Sequence, residues 1–294
     1  MASLSFKQVD VFTSVRFKGN PVAVVLDGDG LSGDQMQQIA HWTNLSETTF
    51  VLAPTLPGAD YQVRIFTPGA ELPFAGHPTI GTAHALLEAG RVQAVAGRLT
   101  QQCKAGLIAL RVETGDDGAR SIGFTLPEAV LTPLPGDELA ELTALLGVTL
   151  AAHAAPMLVD VGARWVLVQL DDAQAVLAAT PDFARMKRLD VAGRRTGVVL
   201  FGRYARGVAF DYEMRAFAPA HGIEEDPVCG SGAGCLGAYL RATGQVLDAD
   251  LLLGQGQMVT RDGRIRLGIH PDAVTVGGDA VTCVDGVLLA GAGA

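Results

Sequence analysis

One stretch of this chain occurs twice. Arg64-Ile65-Phe66-Thr67-Pro68 returns as Arg215-Ala216-Phe217-Ala218-Pro219, and each copy is followed by an acidic residue, a proline, a small residue, a glycine and an apolar helix. Glu71-Leu72-Pro73-Phe74-Ala75-Gly76-His77 thereby lies over Glu225-Asp226-Pro227-Val228-Cys229-Gly230-Ser231, 154 positions on (71 to 225). Such a repeat restricts the fold to two related halves, each containing a strand, a turn and a helix. Related halves would meet about a pseudo-twofold axis, with their helix starts turned toward one cleft.

The rest of the chain agrees with this plan. Its 294 residues suffice for two domains, each with its own core. Short apolar runs at 8–12, 21–27, 48–52 and 61–67 predict strands. Between them Ser32 and Gln35 read as a capping box, and Met36, Ile39, Ala40 and Thr43 continue at helical spacing. A second helix is expected from about Pro78 to Gly90, because proline suits a first helical turn and glycine the position after the last. Strands follow at 106–113 and 119–126, and the proline-rich 127–136 reads as a linker. Beyond it come a helix at 137–146, strands at 156–161 and 165–170, and helical segments at 171–179 and 181–189.

Composition narrows the function. Lys+Arg is 22 against Asp+Glu 31, a net charge of -9, with the cations scattered, which argues against a nucleic-acid partner. Apolar runs such as 21–26 fall far short of the roughly 20 residues that span a bilayer, and the N-terminus has no basic-then-apolar leader. Neither membrane insertion nor export is expected. Cys103, Cys229, Cys235 and Cys283 have no CxxC or metal-like spacing, as for reduced thiols in the cytoplasm. His41, His84, His153, His221 and His270 form no HxxxH or HExxH arrangement, so no metal site is expected.

The duplicated helix starts are the first candidate for a site. Each would present unpaired backbone N–H groups and a positive dipole end. Gly76, Gly230 and Gly232 would let a carboxylate approach closely; the alternative is that these glycines only permit tight turns. Gly232, Gly234 and Gly237 fit G-x-G-x-x-G, but an acidic loop rather than a strand precedes them and the pattern runs into the helix, so a dinucleotide fold is rejected. Glu47, in the polar turn Asn44-Leu45-Ser46-Glu47-Thr48-Thr49-Phe50, is either a solvated turn residue or a carboxyl that takes and returns a proton. His77 either binds a ligand or caps its helix, and Asp226 is either a substrate partner or one acid among several in its loop. A Ser231–His77–Asp226 triad lacks the G-x-S-x-G elbow, and Ser231 is expected to cap its helix.

These residues together resemble a known family. Val9-Asp10-Val11-Phe12, Gly19-Asn20-Pro21-Val22-Ala23-Val24, the Asn44–Val51 turn, Arg64–Pro68, Glu71–Thr79 and Glu225–Gly232 are similar to the motifs of the PhzF family of phenazine-biosynthesis-like isomerases. The resemblance implies an α+β, diaminopimelate epimerase-like fold: two pseudo-symmetric half-domains, each a rolled, mostly antiparallel sheet around a central helix. The boundaries would be 1–127, completed by a C-terminal strand at 281–294, and 128–280, with the active site in the cleft between them and the chain a homodimer. It also implies isomerisation of a small carboxylate-bearing substrate without cofactor or metal. In the phenazine enzyme of the family the substrate is a cyclic dihydro-hydroxyanthranilate. Glu47 would be the general acid/base, with His77 and Asp226 also catalytic, and Ser46, Gly76, Pro78, Gly230, Ser231 and Gly232 would bind the substrate.

One position departs from the family pattern. Cys229 stands where the family usually has Thr or Ala, and Cys-Gly-Ser-Gly resembles the thiol motif of diaminopimelate epimerase and its racemase relatives. Those enzymes use two thiols, whereas the duplicated position here is Ala75, which carries no proton. Three readings follow: a Glu47 isomerase with Cys229 packed in the cleft, an amino-acid epimerase using Glu47 and Cys229, and a binding protein without turnover.

Overall fold

The fold is that of a computed structural model, which describes residues 2–116, 118–151 and 154–290. In chain order the elements are β1 (Ala2–Val11), β2 (Asn20–Val25), α1 (Gly33–Thr43), β3 (Glu47–Leu52), β4 (Tyr61–Phe66), β5 (Glu71–Leu72), α2 (Gly76–Glu88), β6 (Arg98–Cys103), β7 (Gly106–Thr114) and β8 (Arg120–Thr125). There follow β9 (Val130–Pro133), α3 (Gly136–Leu146), β10 (Met157–Asp160), β11 (Arg164–Gln169), α4 (Ala173–Ala178), α5 (Phe183–Gly193), β12 (Gly197–Arg203) and β13 (Tyr212–Ala218). The last elements are β14 (Ile223–Asp226), α6 (Gly230–Ala242), β15 (Ala249–Gln255), β16 (Gly263–Ile269) and β17 (Val274–Ala290). The chain divides into unit 1, residues 1–124 and 277–294, and unit 2, residues 125–276. These limits lie a few residues from the expected 127/128 and 280/281, because β8 and β17 are continuous strands that contain the dividing points and no turn marks them in the sequence.

In unit 1, β1 runs antiparallel to β2, β2 parallel to β3, β3 antiparallel to β4, β4 parallel to β6, and β6, β7 and β8 follow as antiparallel neighbours. β17 is bonded to both β8 and β1 and closes the ring. Each parallel pair needs a helical crossover, supplied by α1 and α2. α1 buries Met36 and Ala40 against Leu4, Val25, Phe50 and Phe66, and its Ser32/Gln35 capping box is formed. α2 is buried along nearly its whole length. A side chain at Gly81 would lie 2.4 Å from Val22 Cγ1, so the helix approaches β2 through bare backbone. Polar residues in this interior satisfy one another: Tyr61 Oη donates to Gln101, Gln101 to Thr79, and Thr82 to Thr49.

Unit 2 uses the same series of pairings. β10 is antiparallel to β11, β11 parallel to β12, β12 antiparallel to β13, β13 parallel to β15, and β15 antiparallel to β16. α4 and α5 supply the first crossover and α6 the second. α3 and α5 pack Leu142, Leu145, Leu146 and Met186 onto Val166, Val198, Leu200 and Phe217. The expected linker at 127–136 instead contains β9, paired antiparallel with β10. Its prolines do not oppose this, since Pro133 ends the strand and Pro135 is the N-cap of α3.

Candidate active site

In unit 1 the candidate residues converge on the start of α2. Asn44 ends α1 in the left-handed region at φ 54°, turning the chain back through Ser46 into β3, whose first residue is Glu47. Glu47 sits opposite Val22 of β2. Ser46 Oγ donates to Oδ1 of buried Asn20 across 3.5 Å. His77 is the second residue of α2, buried rather than acting as a cap, and its Nε2 stands 3.4 Å from Glu47 Oε2. The ring also hydrogen-bonds to the backbone of Pro21, which has only a carbonyl to offer, so the imidazole donates there. Burial holds the His77 pKa down at about 3. The ring is therefore neutral at physiological pH, with one nitrogen donating to Pro21 and a lone pair left toward Glu47.

Gly76 is fixed by packing. A Cβ there would lie 2.8 Å from Cζ of Phe124, whose ring meets Phe74 edge-on with centroids 5.4 Å apart. Pro78 occupies the first turn of α2, where its missing N–H costs nothing. Ala75, the N-cap residue, supplies no side-chain bond to the helix start.

In unit 2 the corresponding turn is held from several sides. Arg215 donates to both oxygens of Glu225 at 3.0 and 2.8 Å, and through Nη1 to the carbonyl of Ala179 at 2.7 Å. Asp226 follows at the end of β14. Its Oδ1 accepts the Val228 N–H at 3.1 Å, and burial pushes its pKa up to about 6. Gln255, buried, donates through Nε2 to the Asp226 carbonyl at 2.8 Å and accepts the Cys229 N–H at 2.9 Å, closing the turn.

Cys229 is the N-cap of α6, its Sγ accepting the Gly232 N–H at 3.3 Å. Burial pushes this thiol up, and its S–H bonds to Asp226. The capping role expected of Ser231 thus belongs to Cys229, which stands two residues earlier with the extended backbone that a cap requires. Ser231 Oγ instead accepts the indole N–H of Trp165 at 3.0 Å. Gly230 opens the helix, and a Cβ on Gly232 would lie 2.9 Å from Val199 Cγ2. Gly234 and Gly237 serve packing, since added methyl groups would meet Leu126 at 2.4 Å and Val274 at 2.7 Å.

Asn20, Trp165 and Gln255 were not read as site residues from the sequence. Each acts through a bond to a residue distant in the chain, and only an extension of the duplication beyond the Arg-x-Phe-x-Pro motif could have pointed to Trp165. Among the described residues no group of three or more His, Cys, Asp or Glu could hold a metal ion; His153 lies outside them. Nor is any described helix long and apolar enough to cross a membrane.

The sequence profile described as phenazine biosynthesis-like protein, PhzC-PhzF, matches residues 9–286. The chain belongs to the PhzF family. Its similarity to relatives extends over nearly the whole length. It is 34% identical over 285 residues to a trans-2,3-dihydro-3-hydroxyanthranilate isomerase of Pseudomonas aeruginosa, covering 95% of this chain and 96% of that one. It is 39% identical over 295 residues to antisense-enhancing sequence 1 of Schizosaccharomyces pombe, covering 97% and 99%. The crystal structure of a PhzF-family phenazine biosynthesis protein of Bacillus anthracis superposes with a TM-score of 0.88 at 27% identity, over 99% of this chain and all of that one. The α+β fold and the PhzF-type isomerase class follow from this membership.

Proposed function

We propose that the protein is a cofactor-independent isomerase in which Glu47 removes a proton from a small carboxylate-bearing substrate and returns it elsewhere on the same molecule. The observation that carries this is the Glu47–His77 pair: a carboxyl group 3.4 Å from a ring nitrogen that burial keeps neutral. A ring held neutral beside Glu47 does not compete for the proton, so the carboxyl itself takes it from one atom of the substrate and returns it at another. Asp226 would orient the substrate by accepting from its amine or hydroxyl. Ser46, Pro78 and the helix starts at Gly76, Gly230, Ser231 and Gly232 would hold its carboxylate and stabilise charge that develops during transfer. The named isomerase relatives support a cyclic amino-acid-like substrate. The cysteine pattern supports a cytoplasmic location and the family likeness a homodimer.

Epimerisation by Glu47 and Cys229 has less support. A working thiol must ionise, whereas Cys229 is buried, its pKa is raised, and its sulfur is committed to capping α6.

The test is NMR of trans-2,3-dihydro-3-hydroxyanthranilate in heavy water with wild-type protein and Glu47→Gln. Conversion with deuterium uptake is expected for the wild type, with a loss of about 10²–10⁴-fold in the variant. Conversion undiminished in Glu47→Gln would remove Glu47 as the base, and no conversion by the wild type would remove this substrate.

A further inference from the structure

We propose that Trp165 is a positioning residue for Ser231: it fixes the serine hydroxyl as a donor to an anionic substrate oxygen, and its ring borders the position in unit 2 that matches Glu47 in unit 1. This rests on the reading of the α6 start as the carboxylate site.

The strand registers define matching positions. Glu47 lies opposite Val22 in the β2–β3 pair, and Gly197 lies opposite Trp165 in the β11–β12 pair. One residue on, Thr48 lies opposite Phe66 and Val198 opposite Phe217, the phenylalanines of the repeated motif. Gly197 is therefore the counterpart of Glu47, Trp165 of Val22, and Ser231 of His77. A side chain cannot be restored at 197. Its Cβ would lie 1.8 Å from the Phe217 carbonyl oxygen and 3.0 Å from Cζ3 of the Trp165 ring. Where unit 1 places a carboxyl beside an imidazole, unit 2 places an indole N–H on a hydroxyl.

The direction of that bond sets what Ser231 recognises. An indole N–H only donates, so Ser231 Oγ accepts, and its own proton must point to another acceptor. Trp165 is 2% exposed, which keeps competing water from the bond. Cys229 Sγ, at 3.6 Å, is a weak acceptor. A carboxylate oxygen is a far stronger one, whereas an ammonium group has no lone pair to accept that proton. At the position matching Glu47, unit 2 thus contributes an anchor and no second base.

The chain has two tryptophans, and Trp42 is 76% exposed, so Trp42→Phe leaves Trp165 as the sole indole. In that background Ser231→Ala is expected to move the remaining indole ¹H–¹⁵N signal and to speed its exchange with solvent; an unmoved signal overturns the bond. A double-mutant cycle with trans-2,3-dihydro-3-hydroxyanthranilate tests the role. Trp165→Phe and Ser231→Ala are each expected to raise KM by up to about tenfold, with the double variant no worse than Ser231→Ala alone. Additive losses would make Trp165 merely structural and overturn the proposal. Absence of wild-type turnover would instead strike the reading it rests on, and the indole signal distinguishes the two failures.

Discussion

The two units keep the same mechanical parts and differ in their chemical ones. Both fasten the turn before their buried helix with an arginine that holds a glutamate by two bonds, Arg64 on Glu71 and Arg215 on Glu225. Both arginines also lie over a phenylalanine ring, Phe66 and Phe217, at 5.0 Å. At the positions that face chemistry the copies have parted: Glu47 against Gly197, His77 against Ser231, Leu72 against Asp226, and Ala75 against Cys229. The helix interiors have parted too. α2 carries threonines bonded to Gln101 and Thr49, whereas α6 carries glycines packed by valines and leucines. A duplicated scaffold therefore tolerates division of labour as long as the clamp and the strand order survive.

The largest expected contrast lies within the shared clamp. Arg215 and Glu225 have side chains only 6% and 8% exposed, against 30% and 23% for Arg64 and Glu71. Arg215→Met should cost about 3–5 kcal/mol, because it strands a buried carboxylate, and Arg64→Met about 1 kcal/mol or less. Urea denaturation measures both, and equal losses would break the comparison. Next comes Gly197→Ala, which drives a methyl group into the Phe217 carbonyl and should cost about 3 kcal/mol. Glu47→Ala, at the matching position, adds no atoms and should abolish turnover while leaving the melting temperature within a few degrees. If Gly197→Ala melts like wild type, the two positions are not sterically distinct.

The smallest effect is a pH limb. The Asp226 carboxyl ionises at about 6, and its ionised form is the one that accepts a hydrogen bond from substrate. kcat/KM should therefore fall as pH drops through about 6, and Asp226→Asn should show a lower but flat profile. His77 stays neutral down to about pH 3 and contributes no limb near 6.5. Burial raises the Asp226 value, the Val228 N–H and the Cys229 thiol lower it, and the Glu225 charge raises it, so Cys229→Ala should move the limb upward.

What could be read in the sequence was what local pattern controls. The Ser32/Gln35 capping box lies within four residues and appears as read. The repeated Arg-x-Phe-x-Pro segment falls on β4 and β13, and the α+β class follows from it together with the family motifs. β6 was missed because Leu-Thr-Gln-Gln-Cys carries little apolar alternation; its glutamines are buried by bonds to Tyr61, Thr79 and Thr55 rather than by hydrophobicity. β9 was missed because prolines at the end of a strand look the same as prolines in a linker. In the site, the resemblance gave Glu47 and His77 their roles, but their proximity came only from the structure, since no spacing rule links residues thirty positions apart. The Ser231 cap was misassigned because the sequence does not reveal a partner such as Trp165, 66 residues away.

β17 makes unit 1 discontinuous, so during synthesis the strands of unit 2 are all available before those of unit 1. Residues 125–276 form a continuous stretch, while the ring of unit 1 stays open between β1 and β8 until β17 has left the ribosome. Domains usually fold N-terminal first; here the later-made unit is the first able to complete its pairing. The nascent N-terminal strands meanwhile present unpaired edges, the state in which sheets are most prone to join the wrong neighbour. The ring of strands that carries Glu47 thus closes only after the whole of unit 2 has been made.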